Sequence, residues 1–504
     1  MLSVVPTTSI IGIHAGLVEV EVDFSRGLPQ FTIVGLPDLA VRESKERIVL
    51  AIKNAGYTFP MGRITVNLAP ADIKKEGSSF DLPIAVGILA AANLIKGDGF
   101  NGIILGELSL DGSVKAVSGV LPSAILATKQ KAKSILVADE NGNEAASVPG
   151  ITAYTIKHLS ELSLFYSGDV RNEVHFSFPQ AAYSSEMDFK YVKGQQNVKR
   201  SLEIAVAGGH NALMIGAPGS GKSLMAKTLP TIFPDLSFQE ALETTQIYSV
   251  KGYTSKEKPI IVERPFRSPH HSISEVGLVG GGGNPMPGEI SLSHNGVLFL
   301  DEITEFKRGL IDSLRQPLED KNITISRARY SVTFPADFMM IAACNPCPCG
   351  NKNNPYKECH CTSLEIKRYM AKLSGPILDR IDIQVQVNPV KESDISGDSF
   401  DAESSAEIKS RVERAVKIQS DRFKNGTIYR NATMSDAQIK TICKLDKESK
   451  DLLVSAVKKF GLSARSYNRV LKVSRTIADL AESESIHKMH VAEAIQYRCI
   501  DSLH

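Results

Sequence analysis

Eight residues, Gly216, Ala217, Pro218, Gly219, Ser220, Gly221, Lys222 and Ser223, have the types and spacing needed to wrap a chain of phosphates. They fit G-x-x-x-x-G-K-[ST], between NALMIG, which reads as a buried strand, and SLMAKTL, which reads as a helix. The glycines let backbone N–H groups and the helix N-terminus face phosphate oxygens that a side chain would obstruct. Lys222 supplies a point charge for the β- and γ-phosphates, and the Ser223 hydroxyl suits one position around Mg²⁺. The implied ligands are ATP and Mg²⁺.

Binding alone does not hydrolyse. The apolar run Gly296-Val-Leu-Phe-Leu ends in Asp301-Glu302, which places Asp301 near the metal and Glu302 where it can polarise an attacking water. A second apolar run, FMMIAACNP, ends at Asn345, suited to hold that water or to sense the γ-phosphate. In Gly375-Pro-Ile-Leu-Asp379-Arg380, the Arg380 guanidinium suits the charge that spreads over a transferred phosphoryl group, in a neighbouring subunit if the chain assembles. Arg465 and Arg469 are four apart on one helical face, so Arg465 is placed to close over nucleotide, unless the two form a solvated basic face.

Seven cysteines, five of them between Cys344 and Cys361, do not resemble a secreted disulfide framework. Cys347-Pro-Cys349 and Cys359-His-Cys361 form two Cys-x-Cys knuckles, compatible with four thiolates closing around a structural Zn²⁺. Reduced buried cysteines and a redox disulfide are the alternatives, and His360 is a substitute for one thiol. Cys344, Cys443 and Cys499 read as small apolar residues.

These groups need a scaffold larger than one core. At 504 residues the chain exceeds the roughly 250 to 300 at which single cores stop growing, so two or three domains are expected. Residues 1–166 alternate strand-like runs (LVEVEV, RITVNL) with the helix-like DLAVRESKERIVLAIKNAG and read as α/β. Residues 167–193 are polar and aperiodic, a linker; 194–390 carry the phosphate loop; and 391–504 become almost wholly helical. With 42% hydrophobic and 23% charged residues and no apolar run near 18 residues, a soluble cytoplasmic protein without membrane contact is expected. The net charge of +2 leaves nucleic-acid binding to local basic clusters.

Together these residues resemble the magnesium-chelatase-like AAA+ ATPases of the ComM/YifB family, whose habitual strings FRSPHHSIS, GEISLSHNGVLFLDE, LRQPLED, NPCPCG and SGPILDRID all appear. The resemblance implies a hexameric ring of the helix-2-insert clade with Arg380 as arginine finger and Arg465 as sensor in a C-terminal lid. It also implies a helicase-like motor that drives branch migration of DNA in natural transformation. Ile323-Thr-Ile-Ser-Arg327-Ala-Arg329-Tyr-Ser-Val-Thr looks like the pre-sensor hairpin of such motors, its arginines either available to backbone phosphates or solvated. His270 and His271, before a glycine run, either face a ring pore or pack.

The stretch Lys75-Glu-Gly-Ser-Ser79-Phe-Asp81, followed by GELSLDGSVKAVSGVL, resembles the proteolytic domain of Lon with Ser79 at its nucleophile. The position matching Lon's lysine is Leu121, which cannot deprotonate a serine, and Lys115 lies about two turns earlier if that stretch is helical. Peptidase activity is therefore expected to be absent. A chelatase-like ATPase that remodels protein is the alternative to a DNA motor.

Overall fold

The computed structural model describes every residue except 73, 97–99, 131, 180–186, 328–329, 353, 355–356, 374, 390–402, 425–429 and 499–504. Arg329, Cys499 and the 390–391 boundary lie outside the described residues, as does the side chain of Arg327.

The N-terminal part is built on two four-stranded sheets. In the first, His14–Ser25 pairs antiparallel with Leu2–Ile11 and Arg63–Ala69, and Gln30–Val34 adds in parallel to the latter. Val18, Val20 and Val22 are fully buried while Glu19 and Asp23 between and beyond them are exposed, the period-2 alternation of a sheet with one wet face. Helix Asp81–Ala91 packs on the sheet, and helix Leu39–Asn54 packs on that helix and turns Val41, Ser44, Ile48, Ala51 and Ile52, a stripe at helical spacing, into the protein interior, with Asp38 capping its N-terminus at 2.8 Å from the Val41 N–H. The second sheet holds Gly102–Ile104, Ser134–Ala138 and Thr152–Ile156 in parallel, with Asn172–Val174 antiparallel at its edge.

The nucleotide-binding part has a five-stranded parallel sheet in the order Phe266–Arg267, Val297–Leu300, Met339–Cys344, Ala212–Gly216, Ile383–Val387. The three middle strands are buried at every position, which is why they read as continuous apolar runs. Hairpin Asn322–Arg327/Tyr330–Pro335 follows the expected pairing. The C-terminal helices Ser405–Arg422, Asp436–Ile442, Lys447–Phe460, Ala464–Leu480 and Lys488–Gln496 share one core with Gln196–Gly208. Among the described residues no helix is long and apolar enough to cross a membrane.

Two stretches differ from the sequence reading. Phe189, in the polar run taken as linker, is fully buried in the shared core, its N–H donating to Ser405 Oγ at 2.9 Å and its carbonyl accepting from Lys199. Burying one such ring contributes about 1.5–3 kcal/mol, yet Phe189 and Val192, the two residues of this run in that core, are too few to set up a periodicity. Lys115 is not on a helix: Val114–Lys115 is a short strand paired with Glu107–Leu108, and the helix begins only at Val120.

That helix, Val120–Lys129, docks the N-terminal part onto helix Phe238–Val250 of the nucleotide-binding part. Leu121 and Ala124 share a cluster with Leu236, Ala241, Leu242 and Ile260, and Gly119 N–H donates to Ser249 O at 3.0 Å. At the seam Glu144 is fully buried and accepts from Leu121 N–H (3.0 Å), Ser249 Oγ (2.5 Å), Thr254 Oγ1 (3.0 Å) and Asn141 Nδ2 (3.3 Å). Burial pushes its carboxyl above the ordinary range. Glu144→Ala strands these donors and is expected to destabilise the chain by about 2–4 kcal/mol, read as a lower apparent Tm. An unchanged melting profile would count against the seam as a stabilising contact.

Candidate nucleotide-hydrolysis site

The phosphate loop leaves strand Ala212–Gly216 and enters helix Lys222–Thr228 through Gly219 (φ +75°) and Gly221 (φ +91°), both in the left-handed region that glycine tolerates. A Cβ at either would point into open space, so the loop's backbone is bare where phosphates would approach. Lys222 Nζ donates to the carbonyls of Gly216 (2.7 Å) and Ala217 (2.9 Å) and reaches Asn345 Oδ1 at 3.4 Å. Burial lowers its pKa, with Asp301 opposing. Ser223 Oγ donates to Asp301 Oδ2 at 2.6 Å.

Strand order explains this convergence. Met339–Cys344 lies between the phosphate-loop strand and Val297–Leu300, and all three run parallel, so Ser223, Asn345 and Asp301 emerge along one edge. Glu302 adopts φ +50°, uncommon for a residue with a Cβ, with its N–H on Asp301 Oδ1 at 3.0 Å and its side chain exposed. Ser223, Lys222, Asp301 and Asn345 are thus linked by direct contacts, and Glu302 joins them through Asp301.

The arginines form a second group. Arg380 donates to Pro376 O at 2.6 Å and pairs with Glu319. Arg465 reaches Asp379 at 3.6 Å, and Arg469 pairs with the buried Asp382 at 2.7 Å, both from helix Ala464–Leu480. Although burial opposes it, the charge of Arg469 together with His210 holds the Asp382 carboxyl far below the usual range. The turn carrying Arg380 is therefore held at both ends by the same C-terminal helix.

Sulfurs of Cys347, Cys349 and Cys359 lie 3.4–3.6 Å apart, and with Cys361 all four fall within 4.8 Å of one another. A tetrahedron with Zn–S bonds near 2.3 Å has edges of about 3.8 Å, so the donor set fits zinc. His360 is exposed and outside this group. Cys344 is buried in its strand, and burial pushes its thiol up to about 12.

Comparison with known proteins accounts for the whole chain. Residues 188–395 match the family described as magnesium chelatase, subunit ChlI; residues 20–141 match subunit ChlI of Mg-chelatase; and residues 402–498 match its C-terminal region. The chain is 42% identical over 503 residues to the uncharacterized protein YifB of Escherichia coli K12, spanning 100% of this chain and 98% of that one. It is 41% identical over 507 residues to competence protein ComM of Haemophilus influenzae Rd, spanning 99% and 98%. The chain belongs to the ComM/YifB family of magnesium-chelatase-like proteins. That family is one of AAA+ ATPases, and the parallel sheet with its phosphate loop is consistent with such a domain.

Likeness to Lon is weaker. Lon protease 2 of Bacillus subtilis is 26% identical over 204 residues, 35% of this chain and 36% of that protein. Ser79 is half-buried with its carbonyl accepting from Gly106 N–H at 3.2 Å, while Leu121 is fully buried in the seam against the nucleotide-binding part. In this ComM/YifB-family chain the family strings also meet each other: Arg267 of FRSPHHSIS forks onto Glu289 of GEISLSHNG at 2.6 and 2.7 Å. His270 bonds Ser272 at 2.8 Å and lies 4.0 Å from the His271 ring, which packs edge-on to Phe306.

Sequence reasoning missed Tyr369. Its hydroxyl accepts from Thr304 Oγ1 at 2.6 Å and meets the Asn345 backbone N–H, and burial pushes its pKa up to about 12. It therefore braces the turn after Glu302 against Asn345 from 24 residues away, a pairing that no local pattern signals.

Proposed function

We propose that this chain is an ATP-driven DNA motor of the helix-2-insert clade. It assembles as a homo-oligomeric, hexameric ring with a C-terminal helical lid and drives branch migration that integrates incoming DNA. The observation that carries the reading is that its parts are held by different partners. Lys222, Ser223, Asp301, Glu302 and Asn345 gather in one chain, whereas Arg380 is held by Pro376 and Glu319 on a turn clamped by the lid helix. A ring in which Arg380 of one copy meets the phosphates held by the next reconciles the two groups. In each site Lys222 and the loop N–H groups bind phosphates, Ser223 and Asp301 would hold Mg²⁺, Glu302 takes the water's proton and Asn345 orients that water. Bound there, Mg²⁺ would neutralise phosphate charge.

Action on DNA is supported by the competence-protein name of the Haemophilus relative and by the hairpin that contains Arg327. The magnesium-chelatase matches favour a second reading, remodelling of a protein partner. Steady-state ATPase rates with single-stranded, duplex and forked DNA separate the two. Stimulation of several-fold or more by at least one form is expected, and a rate indifferent to every DNA moves the assignment to protein remodelling. We also assign Cys347, Cys349, Cys359 and Cys361 a structural Zn²⁺, since four thiolates leave no open coordination position for chemistry.

A further inference from the structure

We propose that the cysteine cluster is a positioning element of the ATP site, its metal holding Asn345 and the Pro218 segment of the phosphate loop where hydrolysis needs them. The inference rests on the ATPase and zinc readings above and adds a role that a merely structural metal does not have. Three contacts on separate sides of the cluster carry it.

The first is covalent: Asn345 stands two residues before Cys347, and Lys222 reaches its side chain at 3.4 Å. The second is steric. Gly350, one residue past Cys349, turns back at φ +77° with its N–H on Cys347 O at 2.9 Å. It presses on the phosphate loop so closely that an added Cβ would lie 2.6 Å from Pro218 Cδ and 2.8 Å from Cγ, where heavy atoms do not fit. The Lys352 N–H donates to Cys347 Sγ at 3.3 Å, which fastens this turn to the ligand sulfur itself. The third runs through helix Ser363–Met370. The helix starts two residues after Cys361, on a capping box between Thr362 and Glu365, and carries in its last turn Tyr369, whose hydroxyl joins Thr304 to Asn345.

Four thiolates drawn to one ion therefore fix the relative places of the loop that binds phosphate, the residue that orients water and the turn that follows the general base Glu302. Without the ion, two short Cys-x-Cys segments have no core of their own to keep that geometry, and displacements near 1 Å are costly in catalysis.

The test uses the full-length protein with zinc per chain measured by atomic absorption, nucleotide affinity by a fluorescent ATP analogue, and kcat and KM for ATP. Cys349→Ser should lose zinc, bind the analogue more weakly and lower kcat on the order of 10- to 100-fold. Cys349→His, which keeps a zinc ligand, should recover metal, affinity and turnover together. Gly350→Ala should keep its zinc and still bind the analogue more weakly, because the methyl group displaces Pro218. A folded, zinc-free Cys349→Ser protein with wild-type affinity and kcat would overturn the proposal. Should that variant fail to fold, wild-type affinity in Gly350→Ala overturns it instead. Absence of metal from the native protein also overturns it, and leaves the ATP-driven DNA reading standing.

Discussion

Glu302→Gln is expected to bind ATP with an affinity near that of the native protein and to hydrolyse it about 10²–10⁴-fold more slowly, the usual worth of a positioned general base. The substitution removes the charge that polarises water and keeps size and shape. Shape matters because Glu302 sits at φ +50° with its N–H bonded to Asp301, so the backbone there is shaped as much as the side chain. Glutamine accepts that backbone as glutamate does, and the Ser223–Asp301 contact at 2.6 Å, on which metal placement depends, does not involve residue 302. Binding and turnover should therefore separate cleanly. Equilibrium binding of a fluorescent ATP analogue beside steady-state phosphate release checks both halves, and turnover at the native rate would remove Glu302 from the role of base.

What could be read from the sequence follows how local the underlying physics is. The phosphate loop, the strand ending in Asp301-Glu302 and the strand ending before Asn345 each announce themselves within ten residues, since backbone conformation and burial are decided there. The alternation in VEVEV and the stripe of helix Leu39–Asn54 are equally local. Contacts that cross the fold leave no such trace. Nothing near Glu319 marks it as the partner of Arg380, nothing near Gly350 points to Pro218, and nothing near Glu144 marks it as buried at the seam with the nucleotide-binding part. Lys115 shows the same limit in reverse: its distance from Leu121 can be given in helical turns only if the stretch is helical, and pairing with Glu107–Leu108 makes it a strand. The cysteines were legible as a cluster because spacing alone brings four thiols close, but their proximity to the phosphate loop is a property of the fold.

Arg380→Ala is expected to retain nucleotide binding and to lose hydrolysis by about 10³–10⁵-fold, the range over which an arginine finger acts. Its present partners say why the loss should cross a subunit boundary. Arg380 is bonded to Pro376 and Glu319, and the turn around it is tied through Asp379 and Asp382 to Arg465 and Arg469 of helix Ala464–Leu480. Lys222 and Asn345 instead contact each other on the phosphate-loop side. If the finger serves a neighbouring copy, Arg380→Ala and Glu302→Gln are defective on opposite sides of one interface. Mixing the two inactive proteins then creates some interfaces in which an intact Glu302 faces an intact Arg380, and part of the ATPase activity returns. A finger acting within its own chain predicts the opposite, because every subunit in the mixture still carries one lethal defect and the mixture stays as inactive as its components. Recovery on mixing therefore tests the ring itself as well as the residue, since only an assembled interface lets one chain supply what the other lacks.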